Sequence, residues 1–328
     1  MQELQQIVHC LTAQPDARGA LATLVTVAGS SYRRPGARLL WLLDGTRLGS
    51  VSGGCLEEDL LERLARVASS GEPELATYDT TSENDLVWGV GLGCHGVIQI
   101  LLEPISGCPA WATAVAVASA ARRSLELFVR FQPEGGHGLG TTMERDGGQA
   151  FRQTVPPPLA LAIFGAGDDA LPLAKLAQQL GWRVIVADPR PAYIAAEGFA
   201  VAAERVCAPI EDLAARTPLD DRTVVVIMTH RYVYDRPLLR QLLPRPIPYL
   251  GLLGPRARAE RLMSELAADD FPITAEMRAR LHAPVGLDLG ADGAEQVALA
   301  IVAEIQAVLN GRAGQPLRHR TQPIHASR

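Results

Sequence analysis

Three consecutive prolines, Pro156-Pro157-Pro158, divide the chain. Proline lacks a backbone N–H and fixes φ, so such a run continues neither a helix nor a central strand. Immediately after it, LALAIF reads as a short buried strand running into Gly165-Ala166-Gly167. The pattern then alternates. GDDALPLAKLAQQLG is helical, RVIVAD a strand, RPAYIAAEG helical and ERVCA a short strand. TVVVIMTH is a strong strand, followed by a helix from about Pro237 to Leu243, the strand PYLGLLG and the helix ARAERLMSEL. A last helix, AEQVALAIVAEIQAVLNG, is closed by Gly311. Strands rich in Val and Ile that alternate with helices predict an α/β, Rossmann-like, doubly wound parallel sheet over residues 158–312, with a loose, polar, basic tail at 313–328.

The first half mixes its elements differently. Residues 20–28 read as a strand, GSSYRRPGA as a loop and RLLWLL as a second strand, with Asp44-Gly45 as a hairpin turn. SVSGGC leads into LEEDLLERLARVA, where apolar residues at 56, 60, 61, 64 and 67 give helical periodicity. A strand is expected at 75–79, then the glycine-rich GVGLGCHG and the strand VIQILLEPI. This predicts an N-terminal mixed α/β domain over residues 1–105. Residues 106–157 form a connecting lobe and Pro-rich linker, with one helix (109–121) and strands near 124–132 and 149–155.

Composition removes whole classes of function. Of the 328 residues 48% are hydrophobic and 20% charged, enough to bury a core, and the net charge of −5 offers no general attraction to nucleic acid or an anionic membrane. No apolar run reaches the roughly 20 residues of a membrane span, and the opening MQELQQIVHC lacks a signal-peptide plan. Five cysteines without a CxxC pair argue against a disulfide framework or a four-cysteine zinc site, so a cytoplasmic protein is expected.

Several segments carry chemistry. Gly165-Ala166-Gly167-Asp168-Asp169-Ala170 fits G-x-G-x-x-G/A between a strand and a helix, and Asp188 ends the next strand where a ribose-binding acid belongs. Gly165 suits the tight turn and Gly167 the approach of a diphosphate, whereas Asp168 and Asp169 in the first helical turn oppose a phosphate. The turn therefore reads either as a phosphate-ester site or as a Rossmann scaffold whose site is altered or empty. Cys55 follows Gly53-Gly54 at a helix start, a position that favours thiolate, and the alternative is a small residue buried at a tight turn. Arg33, Arg34 and Arg38 lie on or beside the preceding loop, where they would hold an anion near that cysteine or, as surface arginines usually are, be simply solvated. The loop containing Gly91, Gly93, Cys94 and His95 suggests close backbone approach to a ligand, or a purely structural turn; its spacing does not suit zinc. His230 ends a strand at the carboxyl end of the parallel sheet, as a site residue or as a cap on the next segment. Arg256 or Arg258 would meet a phosphate, and residues 282–291 (HAPVGLDLGA) would wrap a ligand or position the last helix. Cys10, Cys108 and Cys207 receive no role.

Taken in order, GSSYRRPGARLLWLLDGTRLGSVSGGCLEEDL, GVGLGCHGVIQILLEP, LAIFGAGDDALPLAKLAQQLGWRVIVADPR, VVVIMTH, YLGLLGPRARAERL and HAPVGLDLGADGAEQVALAIVAEI resemble the blocks of the xanthine dehydrogenase accessory (XdhC/CoxI) family. The resemblance implies a maturation factor more than an enzyme, with no catalytic residue assigned. Such a factor binds the molybdenum cofactor, as molybdopterin or its cytosine dinucleotide form. It assists sulfuration together with a cysteine desulfurase, and inserts the cofactor into an apo-form molybdenum hydroxylase. A homodimer that binds neither nucleic acid nor membrane is expected. The resemblance points to Cys55, and after it Cys94, as cofactor-holding thiols, with Cys55 facing molybdenum. Asp168-Asp169 stand where the family turn commonly reads His-Val, and His95 where it often has glycine. Two other readings stay open: an NAD(P)-dependent oxidoreductase using the Rossmann turn, and a scaffold with a vestigial nucleotide site.

Overall fold

A computed structural model of the chain describes residues 2–29, 31–54, 56–79, 96–133, 138–145 and 148–321. It divides into two compact units, residues 1–157 and 158–328.

The first unit opens with helix α1 (Gln2–Ala13). Strands β1 (Arg18–Gly29), β2 (Arg38–Leu42) and β3 (Arg47–Gly49) follow, then helix α2 (Glu57–Ser70) and strands β4 (Glu74–Asp79) and β5 (Gly96–Ser106). The five strands form one antiparallel sheet in the order β3-β2-β1-β5-β4. Side chains alternate along the central strands, and both faces are covered. Ala20, Ala22 and Leu24 of β1 and Ile98, Ile100 and Leu102 of β5 pack on Leu60, Leu64 and Val67 of α2. Those three helix residues lie on one stripe, and burying each contributes about 1.5–3 kcal/mol, which holds a helix whose other face is charged.

On the other face, Leu21, Leu40, Leu42 and Ile105 meet α1 and helix α3 (Ala110–Ala120). No element is expected from the sequence at 2–13, yet Leu4, Ile7, Val8 and Leu11 have helical spacing and are buried there. A second sheet of strands β6 (Leu125–Pro133), β7 (Gly140–Thr142) and β8 (Gly148–Val155), ordered β7-β6-β8, covers the rest of that face through Val129 and Phe131 against Val25 and Leu101.

The second unit is the expected doubly wound sheet. Its parallel strands β9 (Ala160–Phe164), β10 (Arg183–Ala187), β11 (Glu204–Val206), β12 (Thr223–Ile227), β13 (Tyr249–Leu252) and β14 (Leu281–His282) run in the order β11-β10-β9-β12-β13-β14. The direction of winding reverses between β9 and β12, and ligands bind such sheets at the carboxyl ends of the strands that flank this reversal. Helices α4 (Ala170–Gln179) and α10 (Ala294–Leu309) pack on one face, where Leu173, Ala177, Ile301 and Ile305 are buried. The short helices α5 (Pro191–Ile194) and α6 (Leu213–Arg216) lie between strands. Helices α7 (Tyr232–Leu242) and α8 (Arg256–Ala268) cover the opposite face, and α9 (Ala275–Arg280) leads into β14.

Two expectations need correction here. Helix α7 begins at Tyr232, five residues before Pro237, and the one helical bond the proline cannot donate is to the carbonyl of Val233, a residue 69% exposed. His282, expected in a loop, belongs to the sixth strand through the pairings Leu250–Leu281 and Gly251–His282. Among the described residues no helix is long and apolar enough to cross a membrane.

Gly165 packs the nucleotide-type turn against β12. Its φ is +119°, and a Cβ on it would lie 2.5 Å from the Met228 carbonyl oxygen. Gly45 has a comparable φ of +90° but no atom within 4 Å of that position. Gly165→Ala therefore combines backbone strain with a clash and should destabilise the protein by about 3 kcal/mol, against about 1 kcal/mol for Gly45→Ala. Denaturant unfolding of the two variants checks this; equal losses would contradict the packing.

Candidate functional site

The antiparallel register fixes where the loops of the first unit emerge. Strand β1 ends at Gly29, opposite Gly96 at the start of β5, and Asp79 at the end of β4 pairs with Val97. Strand β2 begins at Arg38 opposite Thr23 of β1, and Gly49 at the end of β3 pairs with Leu39. The connections 30–37, 50–56 and 80–95 thus all leave or enter at the same end of the sheet. Two of them touch: a Cβ on Gly53 would lie 3.6 Å from the Tyr32 ring, which is 68% exposed. Gly53 and Gly54 are exposed, Gly54 has φ +111°, and no atom comes within 4 Å of the place a Cβ on it would take. Cys55, Gly91, Gly93, Cys94 and His95 lie outside the described residues.

The chain on either side of Cys55 is held by a polar network that the sequence motifs do not single out. Glu57, the first residue of α2, is buried and turns its carboxylate back to the preceding loop. The Ser52 hydroxyl donates to Glu57 Oε2 at 2.5 Å, and the Ser50 hydroxyl lies 2.9 Å from Oε1. Ser52 Oγ in turn accepts from the backbone N–H groups of Gly54 (3.2 Å) and Leu56 (3.3 Å). Burial pushes the Glu57 carboxyl up, but the two serine hydroxyls pull it down further, so it stays ionised below the usual carboxylate range. The signal in the sequence is Ser-x-Ser-Gly-Gly followed by an acid at the first helical position. Glu58 and Asp59 share that first turn with Glu57, so three carboxylates offset the positive helix end expected to favour a Cys55 thiolate.

The three arginines separate. Arg34 is exposed on the loop. Arg33 is half-buried and ion-paired with Glu3 of α1. Arg38, expected beside the anion, is a core residue instead and is 1% exposed. Strand alternation sends it to the face covered by the small sheet, the face of Leu40 and Leu42, where its Nη1 donates to Gln153 Oε1 (2.6 Å) and to the Gly36 carbonyl (3.1 Å). Burial lowers its pKa to about 10, against the attraction of Glu103 and Glu3.

In the second unit, Gly165, Gly167, Asp188 and His230 do gather at the carboxyl ends of β9, β10 and β12. The Asp169 carboxylate, expected against the helix end, makes no cap there; its Oδ2 lies 2.6 Å from His230 Nε2. His230 holds a left-handed backbone at φ +54°, which brings its ring across the winding reversal. Asp168 is exposed. Arg258 is not available to a phosphate, because it pairs with Asp235, which is 1% exposed and also accepts from Thr229 Oγ1 at 2.5 Å. Arg256 is exposed. Among the described residues no His, Cys, Asp and Glu side chains cluster to hold a metal ion.

A family profile described as the XdhC and CoxI family matches residues 13–79, and one described as the XdhC Rossmann domain matches residues 161–305. A Bacillus subtilis protein, named as a probable subunit of xanthine dehydrogenase, is 33% identical over 313 residues, spanning 87% of this chain and 91% of its own length. The molybdenum cofactor insertion chaperone PaoD of Escherichia coli is 25% identical over 292 residues, covering 88% and 82% of the two chains. A crystal structure of a Bacillus halodurans protein, described as a xanthine dehydrogenase, superposes with a TM-score of 0.79 at 30% identity, over 97% of this chain and 99% of that one.

The Glu57 network has a measurable pH signature. With its folded pKa below the unfolded value of about 4.3, Glu57 contributes stability above that pH and loses it as pH falls through the folded pKa. Glu57→Gln should lower unfolding free energy by about 1–2 kcal/mol at pH 7, with the difference from wild type shrinking toward pH 3. A gap that stays constant between the two pH values would contradict the assignment.

Proposed function

Since the chain belongs to the XdhC and CoxI family, we propose that it binds the molybdenum cofactor and delivers it to an apo-form molybdenum hydroxylase of the xanthine dehydrogenase or aldehyde oxidoreductase type. The observation that carries this reading is that Tyr32, after β1, lies over Gly53, after β3, at the end of the five-stranded sheet where β4 stops at Asp79 and β5 begins at Gly96. The name of the PaoD relative supports it, as does that of the Bacillus subtilis relative.

The residues present suit such cargo. The molybdenum cofactor is an anionic pterin phosphate carrying a thiophilic metal. Gly53 and Gly54 leave the backbone approachable, and the open space at Gly54 is a place a side chain would otherwise fill. Exposed Arg34, and Arg33 at the cost of its pair with Glu3, supply cations for the phosphate. Cys55 supplies the thiolate and Cys94 a second one, and Gly91 and Gly93, lacking side chains, are the residue type that lets a ligand approach the backbone. Ser50, Ser52 and Glu57 are positioning residues that hold Gly54 and Leu56, the neighbours of Cys55.

The finer steps belong to the same proposal. The protein holds the cofactor while a cysteine desulfurase supplies the terminal sulfur, acts as a cytoplasmic homodimer, and releases its cargo on docking to the apo-enzyme. Release requires that affinity for the cargo differ between the free and docked states.

Purification from a molybdenum-replete host tests the reading. Cys55→Ala should carry about a tenth or less of the wild-type molybdenum and pterin, the effect of removing about 1.4 kcal/mol or more of binding, while its unfolding midpoint is unchanged. Loaded wild type, mixed with the apo-hydroxylase, should restore aldehyde or purine oxidation. Equal molybdenum content in the variant would remove Cys55 from the site.

A further inference from the structure

The strand order and the Gly165-Ala166-Gly167 turn of the second unit imply a dinucleotide at the β9/β12 reversal. In sheets of this kind the carboxylate at the end of the second strand reads the adenosine ribose by accepting hydrogen bonds from its hydroxyls. That carboxylate here is Asp188, and its donor set does not fit NAD. Asp188 is 1% exposed. Its Oδ1 accepts from the Arg190 backbone N–H and from Arg190 Nε, both at 2.8 Å. Its Oδ2 accepts from the Ala166 N–H at 2.8 Å and from Arg190 Nη2 at 2.7 Å. Four donors saturate the group, so a ribose hydroxyl has no acceptor left to meet.

What stands at the mouth of this position is the guanidinium itself. Arg190 lies edge-on to Asp188, its side chain 25% exposed, and its face stacks on the Tyr193 ring with 3.6 Å from the guanidinium carbon to the ring centroid. The carboxylate below and the ring beside it hold the cation in one geometry, and Nη1 makes no bond to Asp188. A fixed, partly exposed guanidinium at the ribose position binds a phosphate monoester better than a hydroxyl, because the bond is then charge-assisted. Of the two acids in the turn, Asp169 is paired with His230 and Asp168 is exposed to solvent.

We infer that Arg190 makes the Rossmann crevice selective for a nucleotide whose adenosine ribose carries a 2′-phosphate, NADP(H), over the unphosphorylated NAD(H). Asp188 acts as a positioning residue that ties the Gly-rich turn to Arg190. This inference is independent of the cargo site in the first unit, since nucleotide binding and molybdenum content are measured separately.

Calorimetric titration of the full-length protein with NADP+ and with NAD+ tests it. Wild type should bind NADP+ at least about tenfold more tightly than NAD+, the ratio expected of one charge-assisted contact of about 1.4 kcal/mol. Arg190→Ala frees the Asp188 carboxylate and should reverse the preference. Because that variant leaves a buried charge without its partner, the double variant Asp188→Asn/Arg190→Gln provides a neutral replacement; it should bind the two nucleotides equally. Wild type that binds NAD+ as tightly as NADP+, or binds neither at millimolar concentration, would overturn the inference. So would a preference that survives in the double variant.

Discussion

The Glu57 carboxylate is the pivot of the turn that leads into α2 in the first unit. It is buried, ionised and shared between two serine hydroxyls, and through Ser52 it fixes the backbone on both sides of Cys55. A glycine pair has high conformational entropy, and ordering it unaided costs about 1–2 kcal/mol per residue. The serine–carboxylate network offsets part of that cost. The consequence is a helix whose first turn carries three carboxylates, which offset the positive charge of the helix end.

A similar device recurs in the second unit. Asp188 is buried, saturated by four donors and used to set a guanidinium in place. In both units a buried acid organises a glycine-rich turn. Arg38 and Arg258 show the opposite use of charge. Both guanidiniums are drawn inward, one to Gln153 and one to Asp235, and both serve packing.

The parallel sheet was legible because its strands are short apolar runs punctuated by helices and glycines, a pattern that few folds share. The helix at 57–70 was legible from the spacing of Leu60, Leu64 and Val67. The helix at 2–13 was not, because its four apolar positions sit among polar residues at the very start of the chain, without a cap to mark it. For the candidate site, a motif marks a segment along the chain but does not reveal which way a side chain points. Arg38 is the first residue of a strand, and alternation alone decides that it faces the core. Asp188 looked like a ribose acid because its position is right; only the three-dimensional placement of Arg190 and Ala166 shows that its lone pairs are taken. Glu57 escaped notice because an acid at a helix start is ordinary, and its partners lie five and seven residues upstream.

If a cysteine at this end of the sheet holds molybdenum directly, the metal–sulfur bond itself is observable. Molybdenum K-edge absorption on the cofactor-loaded protein addresses that bond. The wild-type spectrum should contain one more sulfur scatterer than that of a Cys55→Ser variant loaded with cofactor in vitro. Superimposable first coordination shells for the two proteins would show that Cys55 does not bind the metal.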